Sequence, residues 1–191
     1  MRPLRSILLC VGLLIGVGAC GSDTNDHLPA EAPRTSQQAQ SGTSYQTNPV
    51  PAPDLPLEAM DGQQINLADQ KDKVILVNFW ATWCGPCRRE IPDLVNLYSE
   101  MKDEGLLIVG IAVDREGADA VKPYVQGKSI NYPIVLDPDQ STESHFDAMY
   151  GLPTTYVVNP EDQIVRRVLG VFPVDEMKPM LQDMLASAPS A

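Results

Sequence analysis

Positions 74–87 read VILVNFWATWCGPC, and most of the structural and chemical information in the chain lies in this stretch. The run from Val74 to Phe79 is almost continuously apolar, which is typical of a strand buried on both faces. Two cysteines, Cys84 and Cys87, follow directly, and the residues after them have the pattern of a helix. A buried strand that leads into a helix predicts a βαβ unit and therefore a layered α/β fold.

Strands and helices continue to alternate on both sides of this stretch. The dipeptide Asp61-Gly62 is typical of a tight hairpin turn between two short strands, and it predicts a hairpin at the N-terminal end of the folded domain. We further expect strands over 106–113, 132–136, 154–158 and 163–169, and helices over 85–104, 116–127, 141–150 and 174–186.

Length and composition limit the classes of protein to which this chain can belong. With 191 residues, of which 43% are hydrophobic and 20% charged, it has the composition of a globular protein with about one domain. The formal net charge of −11 argues against a nucleic-acid partner, because phosphate binding needs an excess of Lys and Arg. Four cysteines are too few for a scaffold built from disulfides.

The first residues are interpreted as an export signal. Arg2 and Arg5 precede an apolar run over 7–17, which is too short to span a bilayer and fits the core of a secretory signal. The sequence VGAC at 17–20 resembles a bacterial lipobox, which implies cleavage after Ala19 and lipid on Cys20. An ordinary signal peptide with an incidental cysteine is the alternative. The lipoprotein interpretation predicts a protein of the cell envelope, anchored to a membrane with its domain in the periplasm or extracytoplasmic space.

The segment after the signal is rich in Ser, Thr, Gln, Ala and Pro and contains few large apolar residues. Such a segment cannot bury enough surface to offset its chain entropy. We therefore predict a lipid-anchored, disordered tether over 20–53 and a folded domain over 54–187. Loss of residues 1–19 removes two arginines and no acid, which changes the formal net charge from −11 to −13. Once Cys20 carries lipid, only Cys84 and Cys87 remain for thiol chemistry.

The position of the CGPC sequence at the start of a helix predicts a reactive cysteine. The first turn of a helix has free N–H groups and the positive end of the helix dipole, and both favour an ionised thiol at Cys84. Pro86 is tolerated there because its missing N–H has no role in the first turn. Cys87 lies one turn deeper, where it can attack a mixed disulfide on Cys84. The pair therefore predicts a two-electron redox couple.

Half of a zinc site is the alternative interpretation of the cysteine pair. A zinc ion usually needs four ligands, or three and a water molecule. The chain has no second cysteine pair, and its two histidines are His27, in the predicted tether, and His145. We found no motif for a metal, flavin or nucleotide, so the pair itself is expected to be the redox group.

Together these residues resemble a known family. The stretch over 74–90, which ends Arg88-Arg89-Glu90, the Asp61-Gly62 hairpin, and YGLPTTY at 150–156 are similar to the TlpA/ResA-like thiol–disulfide oxidoreductases. These are exported members of the thioredoxin superfamily. The resemblance covers residues 54–187. It implies an α/β, thioredoxin-like fold with an N-terminal β-hairpin and an inserted helix–strand element over 116–136.

The resemblance also implies a substrate site. Pro153 matches the cis-proline of that fold, which packs beside the cysteine pair and leaves the Leu152 backbone free to pair with a substrate strand. A simple turn proline is the alternative. Trp83, which precedes the first cysteine, is a third candidate for substrate contact, although we interpret Trp83 and Trp80 first as packing residues.

Glu90 is the candidate acid of the site. Cytosolic thioredoxins carry a buried Asp at the position of Asn78, and Asn78 cannot take up a proton. Glu90 follows Cys87 by three residues and shares its helix face. The resemblance implies that Glu90 relays the Cys87 proton, and a surface glutamate paired with an arginine is the alternative. Arg88 and Arg89 are expected to be solvated.

The function implied by the resemblance is reduction of disulfides in exported proteins such as apocytochrome c. The electrons would come from a membrane donor of the DsbD or CcdA type, and the protein is expected to act as a monomer. A copper metallochaperone of the Sco type is the alternative, although that class has three residues between its cysteines and a downstream histidine. A peroxiredoxin is disfavoured because its Thr-x-x-Cys pattern is absent.

Overall fold

The computed structural model of the chain describes residues 42–146 and 151–188. The predicted signal over 1–19, the lipidation site Cys20 and the first part of the tether lie outside the described residues. Within the described residues, none of the helices combines the length and the apolar composition that crossing a bilayer requires.

A six-stranded sheet forms the centre of the described structure, in the order β1-β8-β7-β4-β5-β6. Strands β4, β5 and β6 are parallel to one another, whereas β7, β8 and β1 add antiparallel neighbours on the other side. The strands are β1 Thr43–Pro51, β2 Pro56–Glu58, β3 Gln64–Asn66, β4 Val74–Trp80, β5 Leu106–Ala112, β6 Ile134–Leu136, β7 Thr154–Val158 and β8 Gln163–Leu169, and the helices are α1 Gly85–Met101, α2 Ala118–Gly127 and α3 Val174–Ala186.

Strands β4 and β5 form the middle of the core, and every residue of both is buried. Helix α1 contacts β5, helix α3 contacts β4, and the two helices contact each other, so they cover one face together. Because the residues of β4 and β5 are buried on both faces of the sheet, the two strands are almost continuously apolar, with Asn78 as the exception. Because β4 and β5 are parallel, the residues that follow them emerge at the same edge of the sheet.

The N-terminal hairpin and the inserted element are present as predicted. Strands β2 and β3 pair antiparallel, and Gly62 in the turn between them has a positive φ of 87°. The N–H of Met60 donates to the carbonyl oxygen of Ile134 at 2.8 Å, which ties the hairpin to β6. Helix α2 and strand β6 lie between β5 and β7 in sequence, where the resemblance placed the inserted helix–strand element.

Strand β1 lies within the segment that we predicted to be tether. It pairs antiparallel with β8, from Thr43 opposite Leu169 to Pro51 opposite Gln163. Tyr45 and Val50 are 45% and 44% exposed. An edge strand of this kind is held mainly by backbone hydrogen bonds, which the amino-acid composition does not reveal. The folded unit therefore includes residues 43–51, and the predicted boundary at residue 54 is too late.

The helix predicted over 141–150 is also different in the structure. Residues Thr142–His145 form a short 3-10 turn, Phe146 is extended, and 147–150 lie outside the described residues. The buried carboxylate of Asp137 accepts the N–H of Thr142 at 3.2 Å, which favours a tight turn at this point. The ring of Phe146 packs against Phe79 at 5.2 Å, and this burial accounts for its apolar character without a helix.

Candidate active site

The two cysteines lie at the start of α1, bonded to each other as a disulfide with their Cα atoms 5.3 Å apart. Cys84 is the N-cap residue, and the N–H of Cys87 donates to its Sγ at 3.2 Å. Cys84 is 5% exposed, whereas Cys87 is completely buried. The helix therefore directs a backbone N–H at the sulfur of the less buried cysteine, which is the arrangement that stabilises a thiolate there after reduction.

The loop before Cys84 is anchored by a buried acid. Asp114 follows β5, is fully buried, and accepts the N–H of Thr82 at 3.1 and 3.2 Å together with the Thr82 hydroxyl. Thr82 follows β4, so this contact joins the ends of two neighbouring parallel strands. Asp114 was not among the candidate residues predicted from the sequence. Its position in the sequence could have indicated this role. Asp114 is an acidic residue just after the buried strand β5, which neighbours the strand β4 that leads to the cysteines.

The two tryptophans have different environments. Trp80 ends β4 and is fully buried, as expected of a packing residue, and its ring lies 5.6 Å from that of Tyr124. Trp83 is 66% exposed, so the interpretation of Trp83 as a packing residue is wrong. Trp83 lies in the loop beyond the end of β4, where the alternation of buried side chains along the strand no longer applies. Its exposed indole adds an apolar surface beside Cys84.

The Leu152–Pro153 peptide bond is cis, as the resemblance implied. Strand β7 runs antiparallel to β4, and its first residue, Thr154, pairs with Phe79 near the end of β4. This pairing brings Pro153 to the edge of the sheet from which the cysteine loop emerges. Two shallow grooves lie at the Leu152 backbone. One is lined by Gly151, Leu152, Pro153, Leu169 and Gly170, and the other, the Trp83 groove, by Trp83, Val113, Gln140, Glu143, Gly151 and Leu152.

Glu90 is buried rather than exposed, which excludes the alternative of a surface glutamate paired with an arginine. Its Oε1 accepts the Nδ2 of Asn78 and its Oε2 accepts the N–H of Phe172, both at 2.8 Å. Burial raises the pKa of Glu90 from 4.5 to about 7; the hydrogen bonds from Phe172 and Asn78 oppose this rise, and the charge of Asp93 adds to it. Both protonation states of Glu90 are therefore accessible near neutral pH.

Asn78 connects Glu90 to the sheet. Its Nδ2 also donates to the hydroxyl of Thr155 on β7 at 3.0 Å. A buried polar chain thus runs from Thr155 through Asn78 to Glu90 and on to the backbone of Phe172. Sequence analysis did not single out Thr155 or Phe172, because neither a threonine in a buried strand nor a backbone N–H has a motif of its own.

The remaining candidates are solvent-facing. Arg88 and Arg89 are exposed on α1, as expected, and His145 is exposed in the 3-10 turn. Within 42–146 and 151–188, no three His, Cys, Asp or Glu side chains are grouped in a way that could hold a metal ion. His27 lies outside the described residues.

The chain is similar to a known family of proteins. Residues 50–167 match the AhpC/TSA family. The chain is 40% identical over 119 residues to the thiol–disulfide oxidoreductase ResA of Bacillus subtilis, a match that covers 62% of this chain and 65% of that relative. It is 31% identical over 138 residues to ResA of Oceanobacillus iheyensis, a match that covers 70% of each.

A solved structure supports the fold assignment. The thiol:disulfide interchange protein of the thioredoxin family from Chlorobium tepidum superposes with a TM-score of 0.64 and 30% identity, over 74% of this chain and 99% of that one. This likeness shows a thioredoxin-like fold. The chain belongs to the AhpC/TSA family, and within it to the ResA-like thiol–disulfide oxidoreductases.

Proposed function

We propose that the protein reduces disulfides in other proteins through the Cys84–Cys87 pair. The Cys84 thiolate attacks one sulfur of the substrate disulfide, which forms a mixed disulfide and releases the first substrate thiol. Cys87 then attacks the Cys84 sulfur, which releases the second substrate thiol and leaves the Cys84–Cys87 disulfide. Two electrons pass to the substrate in each cycle, and a donor must return them before the next.

One observation carries this proposal: the two cysteines differ in burial and in position on helix α1. Cys84 is at the helix N-cap with the Cys87 N–H directed at its sulfur and is 5% exposed, whereas Cys87 is buried beneath it. Attack on a bulky substrate therefore falls to Cys84, and resolution falls to Cys87. The Gly85-Pro86 dipeptide between them is the one found in reducing thioredoxins, which favours a reductase over an oxidase.

Glu90 is proposed to exchange the proton of Cys87 during resolution. It lies one turn after Cys87 on α1 and is buried, and a pKa of about 7 suits it to accept and return a proton near neutral pH. Its hydrogen bonds to Asn78 and Phe172 fix the carboxyl group in place.

The substrate is proposed to be an extended segment of an exported protein, such as apocytochrome c. Its backbone would pair with Leu152 beside the cis-Pro153, and Trp83 would cover its side chains. Export, lipid attachment at Cys20, action as a monomer and a membrane electron donor of the DsbD or CcdA type complete the proposal. Fatty-acid labelling that disappears in a Cys20→Ser variant tests the anchor.

Reduction of insulin by a small dithiol tests the activity. We expect catalytic amounts of the purified protein to accelerate the appearance of reduced insulin chains, and the Cys84→Ala variant to give only the uncatalysed rate. A wild-type protein without any acceleration would contradict the proposed reductase.

A further inference from the structure

The Trp83 groove adjoins the proposed substrate path. It has a volume of about 230 Å³ and shares Gly151 and Leu152 with the groove that lies over Pro153. A substrate segment that pairs with the Leu152 backbone therefore has side chains next to the Trp83 groove. The residues that line this groove can therefore contact substrate side chains and favour some substrates over others.

Glu143 is the one charged side chain among the described residues that line the Trp83 groove. It is half-buried, and among the described residues its carboxylate has neither a hydrogen bond nor an ion pair. Burial raises the pKa of Glu143, and the negative charge of Asp137 raises it further. A partly desolvated carboxylate without a cation gains from any cation that a ligand supplies.

The position of Glu143 is fixed by its neighbours. It belongs to the 3-10 turn Thr142–His145, whose first N–H is held by the buried Asp137 carboxylate at 3.2 Å. The Ser141 hydroxyl donates to the same carboxylate at 3.1 Å. The turn is therefore anchored to the end of β6, and the Glu143 side chain is presented to the groove from a rigid support.

The other walls suit a long side chain with an apolar stem. Val113 and Leu152 contribute aliphatic surface, and Trp83 contributes an indole ring that is 66% exposed. Lys and Arg bury their methylene stems against such surfaces while the charged end stays near water or a counter-ion. An indole ring also attracts a cation directly. The formal net charge of −11 favours cationic partners at longer range.

We propose that the Trp83 groove selects substrates with Lys or Arg beside the cysteine that Cys84 attacks. The cation pairs with the Glu143 carboxylate, and the stem packs on Trp83 and Leu152. This specificity rests on the proposed reductase function, because it concerns the same site and the same first step.

Single-turnover reduction of short disulfide peptides tests the preference. The peptides carry Lys, Gln or Glu at one position near the reactive cysteine and are otherwise identical, and the position is varied in turn on either side of that cysteine. The fully reduced, full-length protein reacts with each peptide. At the best position we expect the wild type to reduce the Lys peptide about fivefold faster than the Gln peptide, and the Glu peptide most slowly. Salt should weaken the preference, because a half-buried pair is still partly screened.

Three variants identify the residue responsible. Glu143→Gln should remove the Lys preference, and Glu143→Lys should reverse it in favour of the Glu peptide. Glu161→Gln makes the same chemical change in the turn between β7 and β8, at the far end of β7 from Pro153, and should keep the wild-type ratio. The ratio between peptides is measured within each variant, so a general loss of activity does not alter it.

The outcomes separate this inference from the function on which it rests. A Lys preference that survives in Glu143→Gln, or equal rates for all peptides in the wild type, would overturn the proposed specificity and leave the reductase standing. Failure of the wild type to reduce any of the peptides or insulin would overturn the reductase and the specificity together.

Discussion

Glu90 is a buried carboxyl group held by two donors, and this environment gives it a pKa suited to proton exchange. Its partners, Asn78 and the Phe172 N–H, come from the central strand and from the connection before α3, so two separate parts of the chain fix the Glu90 side chain. The protonated form is favoured by burial, because transfer of a carboxylate out of water is costly. This preference links the stability of the protein to pH.

Replacement of Glu90 by Gln should remove that link. The folded-state pKa is raised from 4.5 to about 7, so the stabilisation is fully present below pH 4.5 and is lost as pH rises through about 7. Relative to Glu90→Gln, the oxidised wild type should therefore lose about 3 kcal/mol of unfolding free energy between about pH 4 and pH 8. Urea unfolding of both proteins across this range measures the difference.

The exposed Glu161→Gln variant is the control for the loss of one carboxyl group. Its unfolding free energy should follow that of the wild type across the same range. If the difference in unfolding free energy between wild type and Glu90→Gln stays constant with pH, Glu90 has an ordinary pKa and the proposed proton exchange loses its basis.

Asp114 should act on Cys84 through the loop that it anchors. In Asp114→Ala the Thr82 N–H loses its acceptor, which should lower the unfolding free energy by about 1–3 kcal/mol. The looser loop should also slow the single-turnover attack of Cys84 on a disulfide. Thr82→Val removes only the hydroxyl and keeps the backbone hydrogen bond, so both losses should be smaller. An unchanged attack rate in a destabilised Asp114→Ala protein would show that Asp114 has a structural role only.

The residues of the site divide into those with a motif and those without one. Cys84 and Cys87 were predictable from their spacing at the start of one helix, whereas the roles of Glu90 and Pro153 were implied by the family resemblance. Asp114 was not predictable in the same way, since its role depends on which strand ends lie side by side. That information is present only once the strand order is known.

Elements with strong local patterns were predicted with the bounds that the structure shows. Strands β7 and β8 and helix α3 have the expected limits, because the turn at 159–162 separates the strands and an apolar stripe defines the helix. Helix α1 ends at Met101, slightly earlier than expected, in a 3-10 turn that closes on Gly105 with a φ of 110°. Strand β1 was missed because its exposed side chains and two prolines resemble a linker.

Strand β1 should contribute measurably to the stability of the domain. A chain that begins at residue 54 exposes the free edge of β8, whereas a chain that begins at residue 42 keeps β1. We expect the shorter chain to unfold with about 2–5 kcal/mol less free energy, because it lacks the backbone hydrogen bonds of one strand pair. Hydrogen exchange at the β8 amides should rise in the same comparison. Equal stability of the two chains would place β1 outside the cooperative unit.

Gly42 offers a single-residue version of the same test. A Cβ atom at Gly42 would lie 2.6 Å from the carbonyl oxygens of both Leu169 and Val171, which is closer than van der Waals contact allows. Gly42→Ala should therefore push the start of β1 away from β8 and increase hydrogen exchange there. If the amides of β1 and β8 in Gly42→Ala are as well protected from hydrogen exchange as in the wild type, the close approach of Gly42 to β8 is contradicted.

Across the part of the chain that the structure describes, the residues of the candidate site lie at one edge of the central sheet. The parallel strands β4, β5 and β6 all end at this edge, and antiparallel β7 begins there, so the cysteine loop, Asp114, Asp137 and Pro153 come together from four different strands. Two grooves that share Gly151 and Leu152 lie at this edge, and the proposed substrate would run along them. The resemblance predicted this arrangement in outline, whereas the charge of the Trp83 groove depends on the turn that replaces the expected helix.

In the proposed cycle, Cys84 attacks the substrate and Cys87 resolves the mixed disulfide. Incubation of reduced Cys87→Ala protein with insulin, followed by mass spectrometry of the quenched products, tests this division of roles most directly. We predict that an insulin chain accumulates on Cys84 as a mixed disulfide, and that the Cys84→Ala protein traps none. An adduct on Cys87 in the Cys84→Ala protein, with no adduct on Cys84 in the Cys87→Ala protein, would contradict the account.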